Sequence, residues 1–512
     1  MTRSHTVRTG VAGRPSRGAQ LRSAAILGAI ALAAMAACKD SNVPFFTAPT
    51  TVPNTPAGID NGVTGLFSGT RLDIGTFVLT MAGFGRQAGN FTNTEPRFIT
   101  YNLGVAPIVA PTGPTGGVWG FEYTNILQAK QILTTLPQVV PAYTTAQEAG
   151  ITGLVETLEA YNYMIVAEIH DSLGIEIQGA TSAATPTQVC VKDGWAYIVA
   201  LLDSANANLN IAGANPIAVV FPPGFSSVGV TAGPSTAQGS FAAFNRALAG
   251  KAGLELAYAI ARNTPASTPS PTSPGVPDVG ALTRADSAIT ASALFNPASL
   301  APNPTGGFTT TDKFGVYLDF SSTSGDLVNP INGLANTLWL LKEMTADQDT
   351  LHDLRWLAKF SSDPTPVQQP TYAFAAAQWH YAAYPTTNSP MPIVRNESLT
   401  LIRAQIQIGL GNFATAMTLI NDVRTVVGGE PAVTAAGYVA VRNALLKEQQ
   451  ISTVLEGSSD RAIATRMYKL EVALDTTWDH TPGFTDQHTT VLPIPVAVTS
   501  AHSGAFTFSC SP

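Results

Sequence analysis

The stretch ESLTLIRAQIQIGLGNFATAMTLINDVRTV, residues 397–426, decides the fold. Its apolar residues fall at the three-and-four spacing of an amphipathic helix, first over 397–409 and again over 413–426. Leu410-Gly411-Asn412 separates the two runs, and glycine there permits a tight corner. A short link of this kind turns the second helix back against the first. Ala416 is small enough to admit the partner helix.

The same spacing recurs outward along the chain. Trp119, Tyr123, Ile126, Leu127, Ala129, Leu133 and Leu136 mark a helix over 119–136, with Pro137 as its stop. Further helices are predicted over 57–82, 146–169, 195–209, 241–261, 283–294, 337–346, 434–455 and 461–474. The helix at 241–261 is rich in alanine, which suits close helix contacts. A strand is predicted at 351–360. Between these lie long segments rich in Gly, Pro, Thr and Asn, read as loops at 83–118, 210–239, 263–279, 296–335 and 361–396. Loops this long often carry function.

Composition agrees with that division. Of 512 residues 45% are hydrophobic and only 12% charged, against about 25% charged in an average soluble protein. Forty-four glycines and 36 prolines stand in place of surface charge. The first 37 residues carry Arg3, Arg8, Arg14, Arg17 and Arg22 and no acid; beyond them 22 basic residues face 34 acidic ones, a net charge of −12. An acidic chain argues against nucleic acid as a partner, which calls for a basic footprint.

Residues 1–37 read as an export signal. Arginines come first, then an apolar run over 24–35, shorter than a bilayer span, then small residues before a cysteine. Met35-Ala36-Ala37-Cys38 resembles the lipobox of bacterial lipoproteins, with Met35 where leucine is usual. That resemblance implies cleavage before Cys38 and a lipid on its sulfur, which would hold the chain at a membrane. Residues 38–56, rich in Pro and Thr, read as a flexible tether. Cys190 and Cys510 are the remaining cysteines, and in an oxidising compartment they are able to pair.

Ordered motifs along the mature chain carry a resemblance to a family. Leu410-Gly411-Asn412-Phe413 with Ala416 is similar to the turn of a tetratricopeptide unit, although strict 34-residue repetition is absent. Trp119 through Ala129, Glu159-Ala160-Tyr161 through Gly174, Asn245 through Leu254, and Asp353-Leu354-Arg355 before an expected strand come in order. Pro392 through Glu397, Asn421 through Arg424, Glu448 with Leu455-Glu456-Gly457 and Asp460-Arg461, and Leu492-Pro493-Ile494-Pro495 follow. Together with the leader they resemble the SusD/RagB family of outer-membrane nutrient-binding lipoproteins. The chain departs from the family pattern at Glu159, Gln449, Ser452 and Ser459, and Glu397 stands one residue early.

The resemblance implies a mainly α fold: a scaffold of tetratricopeptide-like helix pairs with a loop-rich, ligand-binding part packed on it, forming one domain over 57–512. It implies a surface lipoprotein of the outer membrane that binds an oligosaccharide or similar oligomeric nutrient. The ligand would pass to a TonB-dependent, SusC-like transporter. A peptide-binding, RagB-like protein and a helical interaction scaffold without a ligand are the alternatives.

No catalytic constellation stands out, so no enzyme and no cofactor are expected. The histidines lack HxH or HExxH spacing, so no metal is expected. Gly83-Phe84-Gly85-Arg86 lacks the frame of a dinucleotide site, and no serine sits in a G-x-S-x-G elbow. Arg395 with Glu397, and Glu448, Glu456, Asp460 and Arg461, read as capping groups and a partly buried ion network. Loop aromatics are the best ligand candidates, because a sugar offers C–H faces to rings and hydroxyls to amides. By position in the family, these are Phe84, Phe91, Tyr101, Asn102, Phe314 and Tyr317. The bland reading of each is an anchor that packs a loop on the core. Trp119 lies on the helical pattern and reads as core.

Overall fold

In the helix α1 (Pro56–Gly69) proline stands at the first position, where its missing N–H would have no partner anyway. The Thr55 hydroxyl accepts from the Gly58 amide at 3.1 Å and caps the end. The computed structural model describes residues 51–90 apart from 73, 114–139, 142–179, 186–213, 219–225 apart from 220 and 223, and 241–262. It also describes 270–308 apart from 274 and 306, 315–318, 338–340, 352–367, 377–470 apart from 387 and 388, and 491–495 apart from 493. All of these fall within one compact unit spanning Phe46–Val496. The leader and Cys38 lie outside the described residues.

The run expected as one helix over 57–82 is two, α1 and α2 (Ile74–Phe84). Near the end of α1 the Asn125 side-chain amide donates to the Leu66 carbonyl, and the Thr70 hydroxyl donates to that of Phe67. The Arg71 amide then turns to the Ser68 carbonyl at 3.2 Å in place of that of Phe67, which tightens the end of α1. After β1 (Ala88–Asn90) come α3 (Pro114–Val139) and α4 (Thr145–His170). Pro137 sits inside the last turn of α3 instead of ending it, because a proline there removes only a terminal hydrogen bond. A capping box of Thr144 and Gln147 opens α4. A small hairpin, β2 (Ile175–Ile177) with β3 (Thr187–Val189), leads to α5 (Val191–Ala212), α6 (Phe241–Arg262) and α7 (Val279–Ala291).

Consecutive helices pack on one another: α3 on α4, α4 on α5, α5 on α6, and α6 on α7. Glycine sets the last of these spacings. A Cβ on Gly250 would come within 2.2 Å of the Ile289 side chain, and one on Gly253 within 2.9 Å of Ala285.

Next come β4 (Gly315–Leu318), β5 (Leu338–Leu340), α8 (Leu354–Lys359), β6 (Phe360–Val367), β7 (Ala377–Tyr381) and β8 (Met391–Arg395). Several expectations fail here. The helix expected at 337–346 contains β5, and the strand expected at 351–360 is mostly α8. The segment 361–396, expected as loop, carries three strands, and 296–335 carries β4. The cause is non-local pairing: β1, β5, β7 and β6 form an antiparallel sheet in that order, and β4 pairs with β8. Pro364 and Pro366 interrupt β6, whose register shifts between Ser362 and Val367, so its alternation is unreadable in sequence. Asp353 starts α8 by accepting from the Arg355 amide at 2.9 Å.

The deciding stretch behaves as expected. α9 (Asn396–Gly409) packs on α10 (Phe413–Asp422), and Gly411 turns the corner at φ +78°. Ala416 is fully buried. The second helix is not α to its end: Val423–Val427 is a π turn. α11 (Gly437–Ser452) and α12 (Asp460–Met467) complete the scaffold, with α9 also against α7 and α11. No helix among the described residues is long and apolar enough to cross a membrane.

Candidate functional site

Many of the charged side chains among the described residues are buried in ion pairs. Arg395 ends β8, and Glu397 lies in the first turn of α9, where a carboxylate suits the helix dipole. The Arg395 guanidinium pairs with Glu397 and grips Glu456 with two bonds, Nε to Oε2 at 2.7 Å and Nη2 to Oε1 at 2.9 Å. Lys359 joins from α8, its Nζ 2.7 Å from Glu456 Oε1 and 2.6 Å from the Ser452 carbonyl. Arg355 sits between Asp353 at 2.7 Å and Glu448 at 2.6 Å, and Glu448 also takes Arg424 at 2.9 Å. All but Arg424 are buried.

Burial alone would raise the Glu397 carboxyl, but Arg395, Lys359 and Arg355 hold it down to about 2. A carboxyl held there is a poor general acid or base near neutral pH. The network therefore holds shape rather than moving protons. This agrees with the capping and ion-pair reading of its residues.

A cavity of about 260 Å³ opens beside Arg395, Asn396 and Glu397, its other wall formed by Ser299–Pro304 and Phe308. The Asn303 amide donates to Glu397 Oε2 at 3.0 Å. The Phe308 ring lies 5.3 Å from the Arg395 guanidinium and 5.9 Å from Lys359 Nζ, both within cation–π range.

A second buried cluster joins α4, α6 and α12. Lys251 Nζ lies 2.9 Å from Glu168 and 4.0 Å from Asp460, while Asp171 takes Arg262 at 2.7 Å. Burial, with Glu168 nearby, pushes the Glu255 carboxyl up to about 8, and burial pushes Asp460 up to about 7. Such values suit proton transfer, but the neighbouring cavity of about 10 Å³ has room for no more than a water. This cluster ties α12 to the scaffold.

The other motifs are also structural. Trp119 is fully buried and stacks edge-on against His170 at 4.8 Å. His170 Nδ1 donates to the Leu492 carbonyl at 2.8 Å, so the Leu492 segment docks on the end of α4. The Tyr123 hydroxyl accepts from the Glu176 amide at 2.7 Å and fixes the start of the hairpin. Glu159, a departure from the family pattern, pairs with Lys130 at 2.7 Å. Asn421 exchanges two hydrogen bonds with Val433, and Arg424 donates to the Pro431 carbonyl.

Of the ligand candidates, Phe84 is corrected: it ends α2, is 5% exposed and belongs to the core. The glycines around it mimic a loop in sequence, but every residue of α2 is buried. Tyr317 lies on β4 opposite Pro392, and its side chain lies outside the described residues. Phe91, Tyr101, Asn102 and Phe314 lie wholly outside them. Sequence reasoning missed Asn303 and Phe308 as cavity walls; their only signal was position inside the 296–335 segment. Among the described residues no group of three or more His, Cys, Asp or Glu is placed to hold a metal.

No family model and no curated protein matches the sequence. Solved structures do. A SusD superfamily protein from Bacteroides thetaiotaomicron aligns at 14% identity with TM-score 0.60, over 88% of this chain and 98% of that one. Surface glycan-binding protein A from the same organism, solved with laminarihexaose, aligns at 12% identity with TM-score 0.57, over 88% and 99%. A SusD-like protein from Bacteroides fragilis aligns at 13% identity with TM-score 0.57, over 83% and 88%. Helix pairs, inserted strands and near-complete coverage agree: this chain has the SusD-like fold.

Proposed function

We propose that the chain is a glycan-binding lipoprotein of the SusD/RagB type rather than an enzyme. The observation that carries this reading is the SusD-like fold over nearly the whole length of a protein solved with laminarihexaose bound. The ordered motifs from Trp119 to Pro495 support it, as does a charge network locked into structure instead of poised for chemistry. In this reading Cys38 carries the lipid, residues 39–56 space the domain from the outer membrane, and the protein faces the cell exterior. Its partner is a TonB-dependent, SusC-like transporter. Phe91, Tyr101, Asn102, Phe314 and Tyr317 supply ligand contacts.

A glycan array and a peptide library applied to the purified mature chain test this reading. Saturable glycan binding that weakens on Phe91→Ala, Tyr101→Ala or Tyr317→Ala supports it. Peptide binding alone would favour a RagB-like protein. No ligand, with a barrel protein co-purifying from membranes, would favour a scaffold. Hydrolysis of an arrayed glycan would overturn the non-enzyme reading. Labelling with radioactive palmitate, lost on Cys38→Ala, tests the anchor.

A further inference from the structure

The link between α11 and α12, Thr453–Ser459, runs without regular structure, and every residue of it is buried. Irregular segments normally lie on the surface, where water satisfies their polar groups. This one holds strain instead. Leu455 and Ser459 sit in the left-handed region, at φ +56° and +51°, which neither side chain favours. The Ser458 and Ser459 hydroxyls have no partner within hydrogen-bond distance. Neither carboxylate oxygen of Asp460, the first residue of α12, has one either, although Ser458 is near enough to favour the charged form. Buried groups left in this way cost free energy.

Contacts from several elements hold the segment down. The Tyr384 hydroxyl donates to the Leu455 carbonyl at 2.7 Å, and the Gly457 amide donates to the Pro392 carbonyl at 2.9 Å. Lys251 reaches the Ser458 carbonyl from α6, and Glu456 takes Arg395 and Lys359. The charges at Asp460 are less well matched. Lys251 Nζ lies 4.0 Å from Asp460 but 2.9 Å from Glu168. Glu168 from α4 and Glu456 from the segment itself oppose a charge on Asp460. Glu255 on α6 faces Glu168 and Asp171 as like charges and Arg262 and Arg466 as opposite ones. Arg461 follows Asp460, and Arg86 follows Gly85, which packs on Ala462; both are buried. Lys251 is held charged by Glu168, the arginines stay charged, and His170, lowered to about 4, stays neutral near pH 7. Burial holds Asp460 up to about 7 and Glu255 up to about 8, so protons that cover this corner in mild acid leave as pH rises.

We propose that Thr453–Ser459 opens together with α12 as one unit, ahead of the rest of the scaffold, and that ionisation of Asp460 and Glu255 drives the opening. When Asp460 moves into water, the strain at Leu455 and Ser459 and the repulsion from Glu168 and Glu456 are relieved together. The closed form stays the major one, and what changes with pH is how often the unit opens. The open form withdraws Glu456 from Arg395 and Lys359. The buried network at the head of α9 therefore senses protons through Asp460, four residues along the chain from Glu456. The inference does not depend on what the chain binds.

Hydrogen–deuterium exchange of the purified chain, read by mass spectrometry, tests this. Peptides covering 453–467 are compared with peptides from α5 at about pH 6.5 and about pH 8.5, each corrected for the intrinsic exchange rate. Opening of 453–467 is expected to be about tenfold more frequent at the higher pH, with α5 unchanged. Asp460→Asn, neutral at both values, is expected to remove most of that difference, and Glu255→Gln to reduce it. Ser459→Gly takes away left-handed strain and an unpartnered hydroxyl without touching a charge. It is expected to slow exchange of the segment about threefold at both values. Protection of 453–467 that is the same at both pH values overturns the inference. So does a loss that spreads equally into α5, which is unfolding of the whole domain. A pH effect of full size in both Asp460→Asn and Glu255→Gln also overturns it, as does a Ser459→Gly chain that exchanges no more slowly than wild type.

Discussion

Arg395 holds Glu456 by two bonds of 2.7 and 2.9 Å across 61 residues of sequence, joining β8 to the loop after α11. Glu456 is also the counter-charge of Lys359, 97 residues away. Both cations are buried, so removing the carboxylate leaves Lys359 without its direct ion pair and Arg395 with Glu397 alone, where water does not reach.

Glu456→Gln should therefore destabilise the fold by about 3–5 kcal/mol, read as a lowered midpoint in urea unfolding. The control is Asp203→Asn. Asp203 pairs with Arg246 at 3.0 Å, but its side chain is 56% exposed, and such pairs contribute about 0–1 kcal/mol. Equal effects from the two variants would show that the buried network does not hold α8, α9 and α11 together.

The glycines divide into two kinds, and substitution separates them. Gly411 has φ +78° but open space around a Cβ, so Gly411→Ala meets only backbone strain, about 1–2 kcal/mol. Gly250 has helical backbone but no space, since Ile289 fills it. Gly250→Val should cost more than Gly411→Ala, because the added atoms push α6 and α7 apart. Thermal unfolding of both variants checks the order. The reverse order would mean that the α6–α7 contact is loose.

What the sequence made legible was periodic and local. Helix pairs such as α9 and α10 announce themselves because burial repeats every three or four residues, and Gly411 marks the corner. Asp353 was read as standing before a strand, and it caps a helix instead. The strands were hidden because their partners are remote: Trp339 pairs with His380, and Gly315 with Arg395. The ion network was half legible. Arg395, Glu397, Glu448 and Glu456 stood out by motif, but Lys359 and Arg355 as their partners left no local trace. Asn303 was invisible for the same reason. A lone Asn between two prolines reads as a turn until Glu397 is seen beside it.

Cysteine chemistry yields a further prediction. Cys190, at the start of α5, is one half of a disulfide. Besides Cys190 the sequence holds two cysteines, Cys38 and Cys510. Lipidation of Cys38 would consume its thiol, and in the lipidated protein Cys510 is then the partner. Mass spectrometry of a non-reduced digest of the membrane-extracted protein should show a Cys190–Cys510 peptide pair. A Cys38–Cys190 pair in that preparation would refute the lipid anchor and the export reading built on it.

Acidity should act on the α4–α6–α12 cluster with a sign opposite to ordinary acid denaturation. Glu255 and Asp460 are pushed up in the fold to about 8 and about 7, mainly by burial, from 4.5 and 3.8. Between those limits the folded chain binds more protons than the unfolded one, so their contribution to stability falls as pH rises toward 8. His170 works the other way. Burial lowers it to about 4 from 6.5, so its contribution rises with pH across that interval and is flat above it. From about 6.5 to about 8, then, only the two carboxyls of this set titrate. The melting temperature should drop over that window, and Glu255→Gln, which stays neutral, should flatten the slope. A melting temperature that rises from pH 6.5 to 8 in the wild type would mean that Glu255 and Asp460 are already ionised in the fold. Lys251, Arg262 and Arg466 would then carry the cluster's full negative charge without help from a proton.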